Sequence, residues 1–468
     1  MKTLHLFDSV KKEKLPFEPI KNNDVKIYVC GPTVYDDAHL GHARSAIAFD
    51  LLHRVLTANN YNVTMTKNFT DIDDKIIKKM NETNQSLEEI TNYYITSYKN
   101  DMNELNVLEN TLEPKATQNL DIMINMIENL KSKDIAYVIS DGVYFDTSKD
   151  SEYGNISHRA SDENSIARVE SNSEKRNPKD FALWKFQKES NEVAYDASFG
   201  KGRPGWHIEC SAMIDKHLAY KDSEYAIDIH GGGADLLFPH HENEAAQTRC
   251  SSKQHLAKYW IHNGFVNIDG EKMSKSLGNS FFLKDVLKSY SGEVIRFYLL
   301  SAHYRANFNF NEEDLQSSKR RLDKVYRVKK RVYGVGKSSV NKNFKEDLLN
   351  ALNDDLNTSI ALSLIDDMIN KANETLNAEP KNKNFKKELV ANLEFIQDVL
   401  GIATKDAYKY FQFGISDEQI AEIEELIEQR VEAKKNKDFE KADLIREELS
   451  NKNISIMDTP NGVVWEKL

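Results

Sequence analysis

Two short motifs in this chain of 468 residues combine residue types that can bind phosphates. The first is His39-Leu40-Gly41-His42, which lies between a β-rich run and a segment with helical apolar spacing. Glycine at the start of a helix lets the backbone approach a phosphate or an adenine ring, and the helix N-terminus favours negative charge. The two imidazoles can also donate to phosphate oxygens. Considered alone, two ordinary histidines in a surface loop would explain the motif as well.

The second motif is Lys272-Met273-Ser274-Lys275-Ser276, which lies between Gly270 and Gly278. Two lysines three residues apart on a glycine-bounded loop can follow the charge that shifts between phosphates when a triphosphate is cleaved and pyrophosphate leaves. A solvated lysine loop is the alternative for this pentapeptide taken alone. The two motifs in this order on an α/β framework are far more specific than either one.

Four further residues have side chains that bind metals: Cys30, Cys210, His240 and Glu244. The first cysteine follows a predicted strand and the second lies where a loop meets a predicted helix, while the histidine and the glutamate are four apart on one helix face. Two thiolates, an imidazole and a carboxylate suit Zn²⁺. His207 and His241 are rival ligands by proximity. Because no CxxC spacing is present and cysteines are commonly buried as small apolar residues, the residues alone leave the metal open.

The elements around these residues predict an α/β fold. A β-rich run at residues 25–30, a helical segment after His39 and a second β-rich run at 61–66 form a parallel βαβ unit, the basis of a doubly wound sheet. Two short runs around Asp141-Gly142 predict a hairpin inside an inserted module, and residues 225–230 return to a strand. The chain is mostly helical after about Ser291. Residues Ser416-Asp417-Glu418-Gln419 are typical of a capping box at the start of a helix, and a hairpin is predicted around 460–462.

Composition excludes several classes of protein. Hydrophobic residues make up 40% of the chain, charged residues 29%, and the net charge is −11, so a uniformly basic nucleic-acid-binding coat is excluded. Three cysteines are too few for a disulfide framework and suit a reducing compartment. No apolar stretch approaches the ~18 residues of a membrane-spanning helix. The N-terminal residues are too quickly polar for a secretory signal, and we therefore expect a cytoplasmic protein.

Together, the two phosphate motifs resemble the HIGH and KMSKS signatures of class I aminoacyl-tRNA synthetases. Four further segments are similar to the cysteinyl-tRNA synthetase family within that class: residues 30–35 (CGPTVY), 205–211 (GWHIECS), 238–244 (FPHHENE) and 354–358 (DDLNT). The similarity extends over essentially the whole chain. Leu40 replaces the isoleucine that many class I enzymes have, and Phe199 lies where we expect tryptophan.

The resemblance implies a Rossmann-like parallel-sheet catalytic domain with an inserted module, followed by a helical bundle and a small C-terminal α/β domain. The implied segments are 1–112 and 200–262 for the split catalytic domain, 113–199 for the acceptor-end module, 263–305 for the KMSKS loop and stem-contact region, 306–405 for the bundle and 406–468 for the anticodon-binding domain. Basic residues between 319 and 331 are candidates for contact with the tRNA backbone, although an exposed helix face explains them almost as well.

The implied activity is ATP-dependent activation of L-cysteine to cysteinyl-adenylate and transfer to the 3′ end of tRNA(Cys). The implied nucleotide-binding residues are His39, Gly41, His42, Lys272, Ser274 and Lys275, of which the two histidines and the two lysines are catalytic and the lysines act with Mg²⁺. The implied cysteine-binding residues are Gly31, Thr70, Trp206 and His230. The family's zinc ligands match Cys30, Cys210, His240 and Glu244, with one Zn²⁺ per chain. Cys250 matches no ligand and is interpreted as structural.

Zinc would explain how such an enzyme separates cysteine from serine. The two amino acids differ by one atom, and a pocket that senses size alone supplies only ~1–3 kcal/mol of discrimination. A metal that binds the substrate as a thiolate distinguishes them better, because coordination lowers the thiol pKa while the serine hydroxyl resists ionisation.

Two alternatives remain at this stage. A cysteine ligase with an amino-sugar acceptor would share the catalytic motifs but lack the residues beyond about Gly401. A non-catalytic zinc protein that binds RNA would not need both histidines and both lysines of the two motifs. We expect a monomer with no membrane association.

Overall fold

The structure is a computed structural model that describes residues 2–158, 173–189, 192–268, 271–272, 281–459 and 462–467. The chain forms two compact units. The first unit comprises Met1–Lys284, Leu299–Asn311 and Leu348–Ala361. The second comprises Asp285–Tyr298, Glu312–Asp347 and Leu362–Leu468. No helix in the described part of the chain combines the length and apolar character needed to span a membrane.

The described elements alternate between strands and helices in the first half and are mainly helical in the second. The strands are β1 His5–Asp8, β2 Glu13–Pro16, β3 Asp24–Val29, β4 Asn62–Lys67, β5 Ala136–Ile139, β6 Gly142–Phe145, β7 Phe181–Phe186, β8 Gly202–Pro204, β9 Tyr225–Gly233, β10 His255–Asn263, β11 Val266–Ile268, β12 Glu271–Lys272, β13 Phe308–Phe310, β14 Ile454–Thr459 and β15 Gly462–Lys467. The helices are α1 Leu40–Ala58, α2 Asp74–Thr83, α3 Leu87–Glu104, α4 Leu120–Ser132, α5 Trp206–His217, α6 Glu242–Ser252, α7 Leu283–Ser289, α8 Gly292–Leu300, α9 Glu312–Arg331, α10 Lys342–Leu352, α11 Thr358–Ala378, α12 Lys383–Leu400, α13 Asp417–Lys435 and α14 Phe439–Asn451.

A parallel sheet with the strand order β10-β9-β3-β4 forms the centre of the first unit. Ile27 of β3 aligns with Met65 of β4 on one side and with Ile229 of β9 on the other. Such a sheet is buried on both faces, which explains why the second half of β3, Ile27–Val29, is buried and free of charged residues. Helix α1 connects β3 to β4, as the sequence pattern predicts. The predicted α/β class, the parallel sheet and the helical region that follows are confirmed.

A second sheet, antiparallel and ordered β5-β6-β7-β8, belongs to the same unit. The hairpin predicted around Asp141-Gly142 is confirmed, with Tyr137 opposite Tyr144. Its core includes Trp184, whose indole nitrogen donates to the carbonyl oxygen of Gly200 over 3.1 Å. The ring of Phe199 lies 5.5 Å from that of Trp184, edge to face, so this partly buried side chain packs against the core of the sheet.

The second unit ends in α13, α14 and the antiparallel hairpin of β14 and β15. The predicted capping box is confirmed, because the Ser416 side chain accepts from the Gln419 amide. Apolar residues from all four elements form a small core: Ile423, Ile427, Ile445, Leu449, Ile454 and Trp465. The predicted helix and hairpin therefore fold against one another.

Arg44 connects the first motif's helix to the segment that follows α8. Its side chain is buried and donates to the carbonyl oxygens of Leu299, Ala302 over 3.2 Å and His303 over 2.6 Å. Burial lowers the Arg44 pKa to about 10, so the guanidinium stays charged at neutral pH. Orphan carbonyls at a helix end favour a cation, and Arg44 therefore satisfies the end of α8 while holding α1 in place.

We expect Arg44→Met to lower the free energy of unfolding by about 3 kcal/mol, because several buried carbonyl groups lose a charged donor. The measurement is urea denaturation followed by circular dichroism. Lys78→Met is the control, since Lys78 lies exposed on α2 and, among the described residues, forms one ion pair, to Glu82 over 3.7 Å. Equal unfolding midpoints for the two variants would contradict the anchoring role.

Candidate active site

The structure brings the four predicted metal ligands together at the carboxyl edge of the parallel sheet. Cys30 follows β3, Cys210 lies in α5 and Glu244 lies in the first turn of α6. His240 lies in a π-helical turn, Leu237–His241, which directly precedes α6, whereas the sequence predicted one continuous helix. All four side chains are buried, and their ligand atoms lie within 4.8 Å of one another.

The spacing of these donors fits a tetrahedral zinc shell. With thiolates about 2.3 Å and imidazole about 2.05 Å from a zinc ion, two sulfurs would be about 3.8 Å apart and a sulfur and a nitrogen about 3.5 Å. The Sγ atoms of Cys30 and Cys210 are 3.8 Å apart, and Cys210 Sγ lies 3.6 Å from His240 Nε2. Glu244 Oε1 lies 3.4 Å from Cys30 Sγ and 3.0 Å from His240 Nε2. The residues present therefore fit the metal that the sequence implied.

A second group of donors overlaps the first: Cys30, His230, His241 and Glu244. His241 Nε2 lies 3.5 Å from Cys30 Sγ, and His230 Nε2 lies 2.8 Å from Glu244 Oε2. The rival ligand His241 is thus near the cluster. The other rival, His207, lies behind His240: the Nδ1 atoms of the two rings are 2.9 Å apart. His207 can therefore orient the His240 ring so that Nε2 of His240 points toward the cluster.

The electrostatics of the cluster favour ionised donors. The nearby imidazoles of His240 and His230 outweigh burial and hold the Glu244 pKa well below its usual range. Burial alone would lower the pKa of His240, but Glu244 and Cys210 raise it to about 10. For the Cys210 thiol, burial alone would raise the pKa, but hydrogen bonds from Cys30 and His240 lower it to about 6. Metals bind thiolates and carboxylates in their ionised form, and the cluster already supplies one of each.

The four predicted cysteine-binding residues lie beside this cluster or in the segments that form it. The Thr70 hydroxyl is buried and donates to Glu209 over 2.8 Å. Trp206 is 38% exposed, and its indole stacks on His240 with 3.9 Å between ring centres. His230 Nδ1 lies 3.0 Å from the Tyr28 carbonyl oxygen. Trp206 is therefore neither a fully buried core residue nor a free surface one, and its ring fixes the position of a candidate ligand.

Two loops of the site approach each other closely at Gly31. Its amide donates to the Asn68 side chain over 2.8 Å, and a Cβ at this position would lie 1.6 Å from the Asn68 carbonyl oxygen. Only glycine fits there. Asn68 and Glu209 are residues that the sequence analysis missed, although Glu209 lies within the GWHIECS segment and directly precedes Cys210.

The His39–His42 motif forms the start of α1, as predicted. His39 caps the helix, and its Nδ1 accepts from the Gly41 amide over 3.0 Å. His42 Nδ1 accepts from the His39 amide over 3.2 Å, and the two rings stack with 3.8 Å between their centres. A neutral imidazole that accepts at Nδ1 carries its proton on Nε2. Both histidines therefore present Nε2–H donors at a helix N-terminus.

The second motif is described only at its first residue. The backbone of Lys272 ends β12, which pairs with β11. Ser274 and Lys275 lie outside the described residues, as does the side chain of Lys272.

Comparison with known proteins assigns the class first. The model of the tRNA synthetases class I (C) catalytic domain matches residues 16–320, and the DALR domain matches 349–404. A Mycobacterium tuberculosis methionyl-tRNA synthetase in complex with methionyl-adenylate shares the fold, with a TM-score of 0.58 and 13% identity over 81% of this chain and 92% of that one. The protein is a class I aminoacyl-tRNA synthetase.

Within that class, two curated relatives define the family. A cysteine–tRNA ligase of Aliarcobacter butzleri is 74% identical over 468 residues, which cover 100% of both chains. A cysteine–tRNA ligase of a Nitratiruptor species is 64% identical over 464 residues, which cover 99% of this chain and 100% of the relative. The chain belongs to the cysteine–tRNA ligase family.

We expect Gly31→Ala to destabilise the first unit by about 3 kcal/mol, because the added methyl group meets rigid backbone and not a movable side chain. Urea denaturation measures the effect. Gly336→Ala is the matched control, since a Cβ at Gly336 meets nothing within 4 Å. If both alanine variants unfold at the same urea concentration, the close approach of the two loops is not a constraint.

Proposed function

We propose that this chain attaches L-cysteine to tRNA(Cys) in two steps. The cysteine carboxylate attacks the α-phosphorus of ATP, giving cysteinyl-adenylate and pyrophosphate. A hydroxyl of the terminal ribose of the tRNA then attacks the activated carbonyl, forming the ester and releasing AMP. The observation that carries this proposal is the buried cluster of two cysteines, a histidine and a glutamate at the same sheet edge from which α1 begins.

In this proposal the protein contributes positioning and charge stabilisation, because the substrate itself supplies the nucleophile. His39 and His42 donate Nε2–H groups to phosphate oxygens, and Gly41 allows the nucleotide to approach the helix N-terminus. Lys272 and Lys275 stabilise the leaving pyrophosphate together with Mg²⁺, and Ser274 completes the loop. What supports the assignment is the orientation of both imidazoles at the start of α1.

The proposed zinc ligands are Cys30, Cys210, His240 and Glu244. Bound there, zinc supplies a soft Lewis acid that prefers the sulfur of cysteine to the oxygen of serine. The chain's own residues keep the donors in place. His207 and Trp206 hold the His240 ring, and His230 holds the Glu244 carboxylate.

The proposed substrate pocket is formed by Gly31, Thr70, Trp206 and His230. The Thr70 hydroxyl is oriented by Glu209, and His230 is anchored on the Tyr28 carbonyl oxygen. The side chains of Thr70, His230 and Trp206 are thus each held by a neighbouring group before substrate arrives. A preformed pocket lowers the entropic cost of binding a small amino acid.

The same proposal assigns residues 113–199 to the acceptor end of the tRNA and residues 406–468 to its anticodon. Support for a tRNA partner comes from α9, where four exposed cations repeat with helical spacing on one face: Arg320, Lys324, Arg327 and Arg331. Such a stripe suits contact with phosphates. The C-terminal elements α13, α14, β14 and β15, which an amino-sugar ligase would lack, favour tRNA as the acceptor.

Purified protein is expected to catalyse cysteine-dependent exchange of labelled pyrophosphate into ATP and to charge tRNA(Cys) with cysteine, while serine supports neither reaction measurably. The exchange assay and acid-gel analysis of the tRNA measure the two steps separately. Exchange without charging would instead indicate a ligase with a different acceptor. Absence of both reactions would indicate a binding protein.

Cys30→Ser and Cys210→Ser are each expected to weaken zinc binding by at least about tenfold, because each removes a soft ligand. Cys250→Ser is the matched control and keeps its metal. Elemental analysis after dialysis against a chelator measures zinc per chain. A Cys210→Ser enzyme without zinc that still preferred cysteine over serine normally would contradict the role of the metal in selection.

A further inference from the structure

A cavity of 330 Å³ lies within the first unit, outside the candidate active site. It is enclosed by α1, by the ends of β3 and β4, by the second half of α3 and by residues 107–113. Volumes above about 300 Å³ accommodate small-molecule ligands. None of the residues assigned above to nucleotide, cysteine or metal lines it.

The polar end of the cavity is formed by Lys67 and Tyr98. Lys67 is 8% exposed and Tyr98 6%, and the Lys67 ammonium donates to the Tyr98 hydroxyl over 2.6 Å. Among the described residues, that hydroxyl is the one side-chain partner of Lys67, and no carboxylate pairs with it. An ammonium has three donors and the phenol has one more, so this pair offers several hydrogens and needs an acceptor. A buried cation without a counter-ion is costly.

Three carboxylates line the cavity: Asp50 and Glu113 are engaged with other groups, and Glu109 is an exposed residue. Asp50 accepts from Arg54 over 2.8 Å and from the Leu108 amide over 2.8 Å. Glu113 pairs with Lys99 over 2.6 Å and accepts from Asn110 over 2.9 Å. Among the described residues, Lys67 therefore lines the cavity without an ion pair to any of these three carboxylates.

Part of the remaining wall is apolar, and it is formed by Val29, Phe49, Met65, Met102 and Leu108. The rest carries polar side chains: His53, Lys99, Asn100, Asn103 and Asn110. A ligand that matches both ends has a compact apolar body and one anionic group. The anion would accept from Lys67 and Tyr98, and the body would fill the apolar part.

The ring of Tyr98 contacts both the cavity and the His39–His42 motif. Along α1, His42, Ala46 and Phe49 lie on one helical face, and the cavity begins at Ala46. The Tyr98 ring lies edge-on to His42, with 6.4 Å between ring centres. Whatever binds to Lys67 thus touches a side chain that also packs against the first phosphate motif.

We propose that this cavity is a second binding site, for a small organic carboxylate or phosphate ester, which contacts the nucleotide motif through Tyr98. The proposal depends on the Lys67–Tyr98 geometry and not on the proposed function, so inactivity in the exchange assay would leave it standing.

Titration calorimetry on the full chain tests the site with benzoate, phenyl phosphate and the neutral analogue benzyl alcohol. We expect at least one anion to bind at millimolar or lower concentration and the alcohol to bind at least about tenfold more weakly. Comparison of benzoate with phenyl phosphate distinguishes the two ligand chemistries. Absence of binding by both anions would overturn the proposal.

Lys67→Met is expected to weaken binding of the anion by about tenfold or more, since it removes the charge and keeps the side-chain length. Lys79→Met is the matched control, because Lys79 also donates to a tyrosine hydroxyl, that of Tyr94, over 2.6 Å, but lies outside the cavity. Unchanged affinity in Lys67→Met, or an equal loss in Lys79→Met, would overturn the assignment.

Tyr98→Phe keeps the ring and removes one donor, and its expected effect is a severalfold loss of anion affinity without loss of the fold. It provides the test if Lys67→Met does not fold. Saturating ATP serves as the last control. If ATP displaced the anion competitively, the probe would occupy the nucleotide site and the second site would be disproved.

Discussion

A fully buried carboxylate, that of Glu244, is the constraint around which the catalytic sheet is arranged. An isolated charge in such a position is too costly to keep, so it must be paired and hydrogen-bonded. His230 and His240 approach its two oxygens over 2.8 and 3.0 Å. His230 is anchored in turn on the Tyr28 carbonyl oxygen of β3, and His240 is held by His207 and Trp206. The pairing of β3 with β9 and the packing of α5 against α6 thus position the groups that compensate the Glu244 charge.

Two buried cations of the first unit, Arg44 and Lys67, differ in how their charge is compensated. Arg44 donates from both terminal nitrogens of its guanidinium to main-chain carbonyl oxygens. Within the described part of the chain, Lys67 has one side-chain hydrogen-bond partner, the Tyr98 hydroxyl, and it lines a cavity. The first cation is therefore structural and holds α1 against the segment after α8, whereas the second has unused donors. This contrast is the physical basis for separating an anchoring residue from a binding residue among buried cations.

Prediction from the sequence succeeded where short-range patterns decide the outcome. The strand before Cys30, the helix that begins after His39, the hairpin at Asp141-Gly142 and the capping box at Ser416 each follow from local spacing and turn chemistry. It was less accurate at the turn before α6. Spacing by four residues placed His240 and Glu244 on one helix, but Phe238 has extended backbone angles and His240 lies in a π-helical turn. The two side chains still meet, because the turn returns the chain to the same face.

The sequence by itself determined the class of fold and the family resemblance, because these depend on residue types at characteristic spacing along the chain. The four-residue set proposed to bind zinc followed from that resemblance, since the residues alone left the metal open. Only the tertiary structure decided which other groups surround that set. His241 comes close to Cys30 and His207 turns its ring to His240, although both lie within three residues of a predicted ligand along the chain. The same holds for Lys67 and Tyr98, which are 31 residues apart and meet only because α3 packs beside the end of β4. Contacts between distant segments depend on how helices and strands pack, and no local pattern encodes that packing.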